Sequence, residues 1–295
     1  MVTREELFVF WNGTKEELAL TDLNVALQEE PDLGGREFLT YRLTMDSYQG
    51  RRIRAWYSVP KDAPPGRKLP AILAVPGYGG QKSIPTQLVL DGFAVLTLYP
   101  RGQGESCLEW ELDSGTKLTY QITDRHEYYY RGAYMDCLRG LDFLQSREEV
   151  DGARLGMWSR SQGGGLTLAT AALDSRLLAA VAEEPFLCNY PVSIDITTSP
   201  YSELSDYAGR HPEQRGQMLE TLAYFDCLNL AGDIRCPTLV NLGRLDETCP
   251  YRTVMPVFES IPGPKALYVY PGLAHSPCTD FNAHALDWLR RYLRG

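Results

Sequence analysis

The sequence predicts a doubly wound α/β fold, and three observations carry that prediction. Apolar runs at 71–75, 94–99, 155–158, 178–182, 238–242 and 266–270 are short and nearly continuous, as strands covered on both faces require. Helix-like segments at 128–145, 165–173, 252–260 and 279–293 lie between several of them, and the last places Phe281, Leu286, Leu289 and Leu293 on one side. A chain of 295 residues is long enough to bury a large core. Strand alternating with helix gives a mostly parallel sheet with helices on both faces.

The N-terminal third is built differently. Residues 4–30 carry Leu7, Phe10, Trp11, Leu18, Leu20, Leu23, Val25 and Leu27, and are expected to form helices packed outside the core. Residues 37–59 read as a hairpin turning at Tyr48-Gln-Gly50. A proline-rich connection over 60–70 leads into the first apolar run. Between the runs at 178–182 and 238–242 the alternation stops. Residues 185–234 hold the turn-rich Thr197-Thr-Ser-Pro200 and helical stretches near 202–208 and 213–224. They are expected to form a small helical cap inserted in a single domain spanning 1–295. Inserts of this kind commonly wall a pocket, and Pro200 and Tyr201 are candidate pocket residues.

Composition excludes several classes. Charged residues make up 23% and the hydrophobic set 44%, the balance of an ordinary soluble globular protein. A net charge of −9 without a Lys/Arg patch argues against nucleic acid and anionic lipid as partners. The apolar runs are too short to span a bilayer, and Met-Val-Thr-Arg-Glu-Glu opens no secretory signal. Seven scattered cysteines without a C-x-x-C pair suggest reduced thiols and a cytoplasmic protein.

The chemistry centres on Leu155-Gly-Met-Trp-Ser-Arg-Ser-Gln-Gly-Gly-Gly165, an apolar strand entering a tight turn and a glycine-rich helix start. Ser161 sits at its corner, as in the nucleophile elbow G-x-S-x-G, with Ser159 in the place of the first glycine. On an α/β-hydrolase fold, the acid and then the histidine follow the serine along the chain. Of four histidines, His126 precedes Ser161, His211 lies in the expected cap and His284 in the last helix. His275 alone follows a strand. Asp246 ends the turn after 238–242 and is the expected orienting acid, with Glu247 as its neighbouring competitor. The oxyanion donors are expected to be the backbone N–H groups of Gln162 and of Tyr78, the latter in Val75-Pro-Gly-Tyr-Gly-Gly80. Ser159 reads as a small residue at the turn, and Cys249 and Cys278 as ordinary thiols nearby.

Together with Gly77-Tyr-Gly-Gly80, Arg101-Gly-Gln-Gly104, Tyr128-Tyr-Tyr-Arg131, Ser161-Gln-Gly-Gly-Gly165, Pro185-Phe-Leu-Cys188 and Cys249-Pro250, these residues give a chain that resembles carbohydrate esterase family seven. That family comprises the acetyl xylan esterases and cephalosporin C deacetylases. The resemblance implies Ser161, Asp246 and His275 as the catalytic set, Tyr78 and Gln162 as oxyanion donors, and Arg101 and Gln103 bracing the loop beside the site. It implies a small acylated carbohydrate or related ester as substrate, with neither metal nor organic cofactor. It also implies a homo-oligomer. Relatives form a ring-shaped hexamer, but the segment from Gln103 to Tyr128 is shorter here, so the number of copies is left open. Two further positions depart from the family pattern: Ser159 replaces a glycine, and His275-Ser276 replaces a His-Glu pair. The expected function is hydrolysis of short acyl esters, chiefly acetyl. Alternatives are a feruloyl-type esterase or small peptidase, or a binding protein on the same fold without catalysis.

Overall fold

The computed structural model describes residues 2–62, 66–196 and 198–294. Positions 63–65 of the proline-rich connection and Thr197 of the turn before Pro200 lie outside the described residues. Helix α1 (Arg4–Ala19) starts at a capping box. The Thr3 side chain accepts the Glu6 N–H, and the Glu6 carboxylate accepts the Thr3 N–H. The helix buries Leu7, Phe10, Trp11 and Leu18.

The expectation of further N-terminal helix fails here. Asn24 takes a left-handed backbone conformation (φ 43°), and the chain emerges as strand β1 (Ala26–Glu29). Leu23, Val25 and Leu27 recur every second residue, the period of a strand. Pairing also satisfies the backbone of strand β2 (Phe38–Asp46), to which β1 runs antiparallel. The hairpin of β2 and β3 (Arg52–Pro60) forms as expected, and Gln49 and Gly50 at its turn both have positive φ.

Beyond it come β4 (Leu69–Ala74), α2 (Thr86–Leu90), β5 (Ala94–Tyr99), α3 (Tyr129–Ser146), β6 (Val150–Arg160), α4 (Gln162–Leu173) and β7 (Leu177–Glu183). Short helices α5 (Tyr190–Ser193), α6 (Ser202–Arg210), α7 (Arg215–Ala223) and α8 (Cys227–Leu230) lie between β7 and β8 (Thr238–Gly243). Helix α9 (Tyr251–Ser260), β9 (Lys265–Tyr270) and α10 (Thr279–Leu293) complete the chain. Among the described residues no helix is long and apolar enough to cross a membrane.

Among the described residues the nine strands form one sheet in the order β1-β2-β3-β5-β4-β6-β7-β8-β9. From β5 to β9 every neighbouring pair is parallel. This is the α/β-hydrolase architecture with an antiparallel extension at one edge. Alternate side chains of the central strands serve two cores. Leu73 and Met157 pack with α3 and α4 in one core, whereas Ile72, Val95, Ala179 and Val181 pack with α2 and α10 in the other. A fully buried side chain of this size contributes about 1.5–3 kcal/mol, so these two layers fix the strands. Strand β4 lies between β5 and β6, so the chain leaves it first toward one edge and later returns to the other. At such a switch point a crevice opens beyond the strands' carboxyl ends.

Candidate active site

Ser161 stands at that crevice, directly after β6, with φ 59° and ψ −122°. A non-glycine residue held there carries strain of roughly 1–3 kcal/mol and must be fixed by its surroundings. Its N–H donates to the Glu183 carbonyl at 2.8 Å, and its own carbonyl accepts from Gly165 at 3.0 Å and Phe186 at 2.9 Å. The three following glycines serve close packing. A Cβ at Gly164 would lie 2.7 Å from the Glu183 carbonyl oxygen, and one at Gly165 only 2.1 Å from that of Phe186. The start of α4 is thus pressed against the exit of β7, which turns Ser161 outward.

Ser159 is more than a small residue at the turn. It is buried, and its Oγ accepts the Val75 N–H at 2.9 Å. This bond joins the elbow to the end of β4, from which the Pro76-Gly77-Tyr78 loop departs.

Loops after β8 and β9 bring Asp246 and His275 to Ser161. His275 Nε2 lies 3.0 Å from Ser161 Oγ, and Nδ1 lies 2.8 Å from Asp246 Oδ2. The other oxygen of Asp246 accepts the N–H groups of Thr248 at 2.8 Å and Cys249 at 2.7 Å. These bonds orient a carboxylate whose side chain is fully buried, beside an imidazole that is 21% exposed. Glu247, by contrast, is exposed. His211 lies at the end of α6 and pairs loosely with Glu213, while His284 stacks on Tyr268.

The loop after β4 approaches from the other side. A Cβ on Gly77 would lie 3.7 Å from that of Ser161. Among the described residues no acceptor takes the backbone N–H of Tyr78 or of Gln162. The Gln162 side chain holds this loop, with Nε2 3.4 Å from the Gly77 carbonyl and 2.9 Å from Gln103 Oε1. Its Oε1 accepts from the Tyr130 hydroxyl at 2.9 Å. Gln103 Nε2 donates to the Tyr129 hydroxyl at 2.7 Å, which donates to the Arg101 carbonyl at 2.8 Å. The Arg101 guanidinium grips buried Asp136 through Nε at 2.9 Å and Nη2 at 2.8 Å. Burial pushes the Tyr129 and Tyr130 hydroxyls well up, so both remain neutral donors. Arg101 and Gln103 therefore reach the site through Gln162, not by touching the relay.

The Tyr78 ring lies under Lys117 (4.4 Å), its hydroxyl bonds Glu203 of α6, and it meets Phe186 at 5.9 Å. Phe186 in turn packs on Tyr201 at 4.1 Å. Tyr201 is wholly buried and its hydroxyl is bonded to the Cys188 backbone, so it supports the wall from behind Phe186. Pro200 is buried beside it.

Two neighbours of the relay carry more than the sequence suggested. Cys249 is buried, and burial together with Asp246 and Glu184 pushes its thiol well up, so it stays protonated. Donor atoms of Asp246, Cys249 and His275 lie within 4.8 Å of one another. The Asp246 oxygens in that group are already occupied by His275 and two backbone N–H groups. Glu184 is not among the residues the sequence singles out, yet its carboxylate lies 3.5 Å from His275 Nδ1. The available signal was Glu183-Glu184, two acids ending an otherwise apolar strand.

The family model for acetyl xylan esterase (AXE1) matches residues 2–292. The chain belongs to the acetyl xylan esterase family. It is a carboxylic ester hydrolase with the α/β-hydrolase fold. It is 32% identical to an acetyl xylan esterase from Paenibacillus sp. R4, with a TM-score of 0.93 over 99% of this chain and 96% of that one. Acetyl xylan esterase 1 from Thermoanaerobacterium sp. superposes with a TM-score of 0.88 at 28% identity, covering 98% of this chain and 94% of that one. The acetyl esterase Axe7A of Xylanibacter ruminicola is 27% identical across 98% of this chain and 67% of its own length.

Proposed function

We propose that this family member removes acetyl and similarly short acyl groups from xylo-oligosaccharides, sugars or cephalosporin-type alcohols, through a covalent acyl-enzyme on Ser161. The observation that carries the proposal is the continuous relay from Asp246 through His275 to a strained, outward-facing Ser161. In this reading His275 Nε2 takes the Ser161 proton as Oγ attacks the ester carbonyl. Asp246 holds the Nδ1 tautomer and stabilises the imidazolium. The oxyanion is met by the N–H groups of Gln162 and Tyr78, donors whose loss typically costs about 3–4 kcal/mol each. His275 then protonates the leaving alkoxide, and water attacking by the reverse route frees the acid. The acetyl xylan esterase family to which the chain belongs supports a preference for short acyl chains. The seven cysteines are unpaired, which fits the reducing compartment proposed from the sequence.

The test is hydrolysis of p-nitrophenyl esters of increasing acyl length, together with acetic acid release from acetylated xylo-oligosaccharides. Acetyl esters are expected to be cleaved fastest, and Ser161→Ala to be inactive. Faster turnover of octanoyl than acetyl esters, or full activity in Ser161→Ala, overturns the proposal.

A further inference from the structure

Glu184 is the first residue past β7, and its side chain is completely buried. Its backbone is held at φ 41°, an uncommon value for a residue with a side chain. The peptide N–H is fixed by Asn241, through the side-chain Oδ1 at 2.9 Å and the carbonyl at 3.2 Å. To make that bond Asn241 turns Nδ2 into the core, where it has no partner among the described residues. Leaving a buried donor unpaired costs about 1–3 kcal/mol, so strain and an orphaned amide are tolerated at one spot.

What this arrangement secures is the direction of one carboxylate. Glu184 Oε2 accepts from Arg160 Nε at 2.7 Å, and the same oxygen lies 3.5 Å from His275 Nδ1. Oε1 lies 3.4 Å from the N–H of Ser276, which donates more closely to the Ala274 carbonyl at 2.8 Å. His275 Nδ1 therefore faces two acids. Asp246 makes the bond, and Glu184 stands just outside bonding distance while touching the next residue of the His275 loop. Arg160 neutralises Glu184, so the imidazole meets one uncompensated carboxylate. The Cys249 thiol, which stays protonated, has its sulfur within 4.8 Å of donor atoms of Asp246 and His275, and Ser161 Oγ meets Nε2.

Building on the Ser161–His275 relay proposed above, we infer that Glu184 is a positioning residue for His275 and a reserve acceptor for its Nδ1–H. In the intact enzyme it backs the His275 loop, with Oε1 as a second, longer acceptor for the Ser276 N–H. Where Asp246 lacks a carboxylate, a ring shift of about 0.7 Å (from 3.5 to 2.8 Å) brings Nδ1–H onto Glu184 Oε2.

The experiment is a double-mutant cycle on p-nitrophenyl acetate hydrolysis using Asp246→Ala, Glu184→Gln and their combination, with Ser161→Ala as control. Asp246→Ala is expected to lose roughly 10- to 100-fold in kcat, far less than the about 10,000-fold found where an orienting acid is lost without replacement. Glu184→Gln alone should lower kcat by less than about tenfold with KM unchanged. In the Asp246→Ala background the same change should remove at least about tenfold more than it does alone. Equal factors in the two backgrounds overturn the inference, because a merely structural Glu184 acts independently of Asp246. Should Glu184→Gln not fold, the low-field proton resonance of His275 Nδ1–H decides. Its persistence in Asp246→Ala supports the reserve acceptor and its loss overturns it. Activity in Ser161→Ala would instead refute the underlying relay, a separate outcome.

Discussion

Replacing Ser159 by alanine isolates one hydrogen bond between the elbow and the oxyanion loop. Its Oγ accepts the Val75 N–H at 2.9 Å, and both residues are almost fully shielded from water. Alanine keeps the volume nearly unchanged but supplies no acceptor. Nor is there room for water to replace it, since a Cβ on neighbouring Gly163 would come within 2.6 Å of the Ser159 Cβ. An unpaired buried N–H costs about 1–3 kcal/mol, and that is the expected loss in urea unfolding, seen as a lower midpoint at unchanged slope. Val75 is followed by the loop that presents the Tyr78 N–H, so a shift there weakens oxyanion stabilisation more than ester binding. The expected kinetic result is a fall in kcat of up to about tenfold, or 1.4 kcal/mol, with KM nearly constant. Ser159→Gly should behave in the same direction. A Ser159→Ala protein within about 0.5 kcal/mol of the parent, the range of inert surface changes, with unchanged kcat would refute the assigned role.

Three other changes test neighbouring parts. Gln162→Leu strands the Tyr130 hydroxyl and Gln103 Oε1, so stability should fall by about 2 kcal/mol or more, with a loss of kcat measurable on p-nitrophenyl acetate. Iodoacetamide should leave the folded enzyme active, because the Cys249 thiol is buried and held protonated; mass spectrometry showing modified Cys249 before activity is lost would contradict this. Asp226 caps α8 and is buried, which raises its carboxyl from 3.8 to about 6. An acid raised on folding contributes stability below its unfolded pKa that is lost as pH rises through the folded one, here about 3 kcal/mol between pH 3.8 and 6. Comparing unfolding of the parent and Asp226→Asn across that window should show a flatter profile in the variant, offset by the donor–donor clash its amide meets at the Tyr190 N–H.

Patterns set by one element at a time were readable in the sequence. The apolar runs mark β4, β5, β7 and β8 to within a residue or two, because strands buried on both faces leave no alternative to continuous apolar character, whereas β6 begins at Val150, well before its run, and edge strand β9 is only partly buried. The 279–293 helix was found with its full bounds, its apolar side being long and regular. Residues 23–29 misled, because a few apolar residues fit a helical or a strand period until a pairing partner is known. In the site, the order of Ser161, Asp246 and His275 narrowed the candidates since each must follow a strand. Glu184 shows in the sequence only as the second of two acids closing an apolar run, which marks it as unusual but assigns it no partner. Its importance lies in where β7 stops relative to β6 and β8, and a sequence read one strand at a time contains no such register.

That register explains how Ser159 and Ser276, where the resemblance implies glycine and glutamate, sit beside the site. Arg160 pairs with Glu183, and Glu183 with Asn241, across three neighbouring parallel strands. One step beyond that row come Ser161 and Glu184, both with positive φ and both held by backbone bonds to the adjacent strand. A serine at position 159 adds a bond to β4 on one side of Ser161. On the other side Ser276 brings no carboxylate of its own, but its N–H lies within reach of the Glu184 carboxylate anchored by Arg160. If the acid beside the His275 loop is supplied from β7, then position 276 is released from carrying one.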